Sequence, residues 1–110
     1  MIFEQKISHN TLILSLKGRM DVKGASEVED SLKKVILENH PLDVLLNLEE
    51  VEYMSSSGLR IFVSIMRILS EKNRKMKMCN LSQAVIKVFE VVELMDMFRI
   101  YHTEEEALQS

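Results

Sequence analysis

The apolar positions of this chain change period several times, and each change predicts an element. IFEQKI and TLILSLKG read as two strands separated by the turn-forming Ser8, His9 and Asn10, so the chain opens on a hairpin. Beyond Gly18 the spacing lengthens. Ala25, Val28, Leu32, Val35 and Ile36 recur every three or four residues with charges between them, as on an amphipathic helix. Asp21 supplies an N-cap for this helix, and Pro41 ends it because proline disfavours helical geometry in the residue before it. Strand returns in PLDVLLNLEEV, where Leu42, Val44, Leu46 and Leu48 alternate and Leu45 fills the other face, as expected of an interior strand.

The serines of VEYMSSSGLR then lead into a helix from about Ser57 to Lys72, with Ser57 expected as the helix-start residue or cap. A short strand near KMKMCN, a helix from about Ser82 to Met95 and a strand around FRIYH follow. TEEEAL closes the chain, with Thr103 and Glu106 at capping-box spacing for a terminal helix. The order β-β-α-β-α-β-α-β-α predicts an α/β fold: a mixed central sheet of about five strands with about four helices, joined by right-handed crossovers. At 110 residues this is expected to be one domain, residues 1–110.

The helix behind the serines is unusually apolar. Arg60, Ser64, Arg67 and Glu71 form a narrow polar stripe, while the apolar side chains spread over about 220°, roughly twice what packing on one sheet needs. Either neighbouring elements cover the excess, or one edge stays partly exposed for a partner: Ile61, Ile65 and Ile68, or Val63 on the other side. The eight methionines and Cys79 read as core filling, with Met54 and Met66 as the exceptions that flank this docking edge.

Charge and composition narrow the function. A net charge of −3 with scattered Lys and Arg provides no basic field for nucleic acid or anionic lipid, and two Tyr, four Phe and no Trp offer no stacking platform for bases. One cysteine cannot form an internal disulfide, and MIFEQKISHN lacks the features of a secretion signal, so a cytoplasmic protein is expected. No apolar run approaches the roughly 20 residues that span a bilayer, which argues against direct membrane insertion. Three Gly and one Pro leave no glycine-rich phosphate loop, and the histidines and Cys79 show no metal-ligand spacing, so no cofactor or metal is expected.

The serines admit three readings: a plain helix cap, a catalytic nucleophile, or a phosphate acceptor. A nucleophile is disfavoured because no G-x-S-x-G elbow surrounds them and His9, His40 and His102 lie in predicted turns or strand ends. A phosphate suits a helix N-terminus, where backbone N–H groups lack intrahelical partners and the dipole favours negative charge. Glu49, Glu50 and Glu52 lie just upstream, in what reads as a solvated loop, and would add repulsion toward an acidic partner.

LLNLEEVEYMSSSGLRIFV resembles the signature of STAS-class anti-sigma factor antagonists, in which a buried strand ends in an Asp-Ser-Ser-Gly-type turn opening a helix. LKGRMDV resembles that family's other landmark, a Gly-x-hydrophobic-Asp turn before the first helix. The resemblance covers essentially the whole chain. It implies no enzyme activity but a binding protein that frees a sigma factor by engaging an anti-sigma factor with serine kinase activity, with phosphorylation as the off switch and a serine phosphatase as a further partner. Carried over residue by residue, the phosphoacceptor is Ser56, with Ser55 and Ser57 as lesser alternatives. The partner-binding positions are Asp21, Met54, Ser55, Ser56, Ser57, Gly58, Ile61 and Ile65. Ser55 stands where the family pattern has Asp. The alternative is a non-phosphorylated STAS subunit of a stress-signalling or transporter assembly.

Overall fold

The computed structural model describes residues 1–93 and 95–110. Five strands form one mixed sheet in the order β1-β2-β3-β4-β5: β1 (Ile2–Ser8), β2 (Thr11–Met20), β3 (Asp43–Met54), β4 (Met76–Cys79) and β5 (Arg99–Tyr101). The first two pair antiparallel around the turn at His9 and Asn10, both in left-handed conformation, and the other neighbours pair parallel. β3 is central, as its two-sided apolar pattern predicts.

Three helices, α1 (Val22–Glu38), α2 (Ser56–Glu71) and α3 (Gln83–Val91), cover one face of the sheet. Their apolar stripes meet Leu12, Leu14, Leu16, Val44, Leu46, Leu48 and Met78 in the main core. On the opposite face the short α4 (Glu104–Leu108) buries Ala107 against Ile13, Leu45 and Cys79. Thr103 caps α4, accepting a hydrogen bond from the Glu106 amide at 3.1 Å, as its capping-box spacing predicts.

Three expectations are corrected. Met54, Ile61 and Ile65 are not exposed: they retain 3%, 5% and 1% of their accessible surface, because Met54, at the end of β3, and the two α2 isoleucines pack into the core that the sheet shares with α1 and α2. The wide apolar arc of α2 is therefore mostly covered by its neighbours, with Val63, Met66 and Ile68 half-buried. Glu49, Glu50 and Glu52 belong to β3 and not to a loop. α3 ends at Val91, where Glu93 turns left-handed, and a single 3-10 turn at Met95–Met97 leads into β5; Leu94, within the predicted helix, lies outside the described residues.

Candidate functional site

The parallel strands β2 and β3 end side by side, and both chains turn directly into helices. Between Ser15 and Met20 β2 takes five steps while β3 takes seven from Asn47 to Met54, so two register shifts bring Met20 level with Met54. The two junctions then have the same layout. Met20 and Met54 are buried, Asp21 and Ser55 are the N-caps, and Gly24 and Gly58 each donate an amide hydrogen bond to the cap side chain three residues earlier. Both glycines are sterically required. A Cβ on Gly24 would lie 2.1 Å from the Arg19 carbonyl oxygen, and one on Gly58 would lie 2.7 Å from Met20 Cγ.

The structure separates the three serines. Ser55, not Ser57, is the cap of α2: its Oγ accepts from the Gly58 amide at 3.4 Å while donating to the Met20 carbonyl at 3.0 Å, which also accepts the Ser55 amide at 2.9 Å. Sequence spacing misses this because the deciding acceptor comes from another strand. Ser56 is the first residue of α2, is exposed, and takes no part in capping. Ser57 is half-buried and faces a cleft of about 310 Å³ between α1 and α2, shared with Val22, Ser26, Arg60 and Ser64. Ile61 contributes only a small buried wall to that cleft.

At the rim, the hydrogen bond from the Gly24 amide holds the Asp21 carboxyl below its ordinary pKa, aided by Arg19, whose Nε lies 3.7 Å from Oδ2. The Arg19 guanidinium also sits over the Tyr53 ring, 4.6 Å from its centroid. Tyr53 and Val22 stay exposed, at 42% and 69%, and frame the serines with apolar surface. Arg19, Tyr53 and Val22 were not singled out from sequence. Their signal was positional: Arg19 and Tyr53 immediately precede the two buried methionines, so strand alternation points them outward.

His9 and His40 lie at the start of β2 and before β3, the end of the sheet opposite to Ser56, and His102 follows the edge strand β5. Burial pushes the Cys79 thiol up to about 12, helped by Glu104 and Glu49, so it stays protonated. Among the described residues no cluster of His, Cys, Asp or Glu could hold a metal ion, and no helix is long and apolar enough to cross a membrane.

Comparison with known proteins agrees with this fold. The chain is 29% identical over 104 residues to the anti-sigma-B factor antagonist of Bacillus subtilis, covering 94% of each chain. The anti-sigma factor antagonist SpoIIAA in its unphosphorylated form superposes with a TM-score of 0.79 at 25% identity, over 98% of this chain and 94% of the other. The phosphorylated form of SpoIIAA, a Bacillus cell fate determinant, superposes at 0.71 with 24% identity, over 98% and 97%. The STAS domain model matches residues 3–107, and with the sheet order and paired junctions this shows that the chain belongs to the STAS domain family.

Proposed function

We propose that this protein is a cytoplasmic anti-sigma factor antagonist, a binding protein and not an enzyme. It engages an anti-sigma factor with serine kinase activity through the β3–α2 junction and so frees a sigma factor. Phosphorylation of Ser56 reverses the interaction, and a serine phosphatase restores it. The observation that carries this reading is the division of labour among the serines: Ser55 is held by two side-chain hydrogen bonds and Ser57 is half-buried, which leaves Ser56 as the exposed hydroxyl. The similarity to antagonists, one of them solved in both phosphorylation states, supports the partner class.

A phosphate on Ser56 adds close to two negative charges beside Asp21, at a helix N-terminus that tolerates them. The switch then works by charge in the interface while α2 stays folded. The test is incubation with ATP and the kinases encoded beside the gene, followed by peptide mass analysis. Phosphate on Ser56 is expected. Phosphate on Ser55 or Ser57 contradicts the assignment, and its absence from all three favours the non-phosphorylated subunit of a stress-signalling or transporter assembly. Ser56→Asp should weaken partner binding by about tenfold or more, which is about 1.4 kcal/mol, while Ser56→Ala retains it. Equal affinities would overturn the switch.

A further inference from the structure

The outer edge of β1 is complementary to itself. Ser8 and Thr11 flank the two-residue turn and form a hydrogen-bonded pair of the ladder, and alternation gives Lys6–Ile13, Glu4–Ser15 and Ile2–Lys17 the same character. The backbone groups of Phe3, Gln5 and Ile7 therefore point away from β2, along an edge that no other strand among the described residues covers. Ile2 and Ile7 are 62% and 58% exposed on this strand.

We propose that this edge pairs antiparallel with the same edge of a second copy, about a two-fold axis at Gln5. In that register Phe3 meets Ile7 of the second copy on the helix-covered face of the sheet. On the other face Glu4 meets Lys6. Three outward-facing pairs exchange about six backbone hydrogen bonds. Charge selects the register: moving the axis by one residue, to Glu4 or to Lys6, sets like charges opposite each other, which is destabilising. Lys6 already reaches Glu104 at 3.1 Å, so its ammonium is turned to the face from which Glu4 of the second copy arrives. A single seven-residue edge is small beside the roughly 1,200–2,000 Å² of stable interfaces, so the dimer is reversible and grows with concentration.

Sedimentation equilibrium of the full chain from micromolar to millimolar concentration tests this. A monomer–dimer equilibrium that weakens with added salt is expected. Gln5→Pro removes an outward amide and no bond to β2, so dimerisation should fall about tenfold or more with little change in thermal unfolding. Glu4→Lys and Lys6→Glu should each be monomeric alone yet dimerise when mixed, because both cross-pairs become opposite in charge. A monomer at millimolar concentration, a dimer indifferent to Gln5→Pro, or a mixture that stays monomeric would each overturn the proposal.

Discussion

The β2–α1 and β3–α2 junctions share a layout but differ at the cap. In both, a buried methionine, a cap, two further residues and a required glycine stand in order, level with each other across the sheet. Asp21 is a carboxylate that only accepts, and it holds its charge at the surface. Ser55 is neutral and does two things at once, accepting from its own helix and donating to the Met20 carbonyl of the other junction. An aspartate at 55, the residue of the family pattern, could keep the first bond when ionised but not the second. The serine thus ties the two junctions together and leaves the second one without a charged cap.

The largest effects should come from the glycines. Gly24→Ala forces a methyl group against backbone at Arg19, which cannot move without distorting β2, so a loss of about 3 kcal/mol or more is expected. Gly58→Ala meets the buried Met20 side chain at Cγ and lies 3.2 Å from the Met20 carbonyl oxygen, contacts less severe than that at Arg19, and should cost less, about 1–2 kcal/mol. Thermal unfolding checks the order, since about 1 kcal/mol shifts the midpoint by roughly 4–8 °C in a domain near this size. Equal losses would mean that the junctions are not distinguished by what their glycines touch.

Next in size are the serines. Ser55→Ala removes a cap and a cross-junction hydrogen bond and should cost about 1–2 kcal/mol. Ser56→Ala and Ser56→Asp should both stay within about 1 kcal/mol of wild type, because that side chain is exposed and the helix dipole accepts negative charge. Denaturant titration of the three variants separates their structural roles: a large loss on Ser56→Asp would show that the Ser56 side chain is buried in the working protein.

The smallest effect is the acid dependence of the first junction. Folding lowers the Asp21 carboxyl below its ordinary pKa, so the unfolded chain takes up the proton first. The stabilisation is complete above the unfolded value and is lost as pH falls through the folded one, below about pH 4. Asp21→Asn should remove that part of the acid transition. Ser55→Ala should leave it in place, which unfolding curves at several pH values would show.

The alternation of element types, the hairpin turn at His9–Asn10, the interior character of β3 and the caps Asp21 and Thr103 were all legible in the chain, because each depends on residues close together in sequence. The serine junction was legible as a candidate site from its motif. The burial of Ile61 and Ile65 was not legible because a helical projection locates an apolar arc without counting the elements that cover it; here α1 and the sheet cover it together, and Met54, at the end of β3, is buried in the same core. The early end of α3 lacked a signal, since a glutamate at 93 takes the left-handed position that glycine would usually mark.

By itself, then, the sequence determined the order of elements and the place of the candidate site, through hydrophobic period and turn chemistry. Only the tertiary structure decided how each serine is held. Three neighbouring hydroxyls are nearly equivalent along the chain, and they become different when the Met20 carbonyl, brought level by the β2–β3 register shifts, captures Ser55 and leaves Ser56 facing solvent.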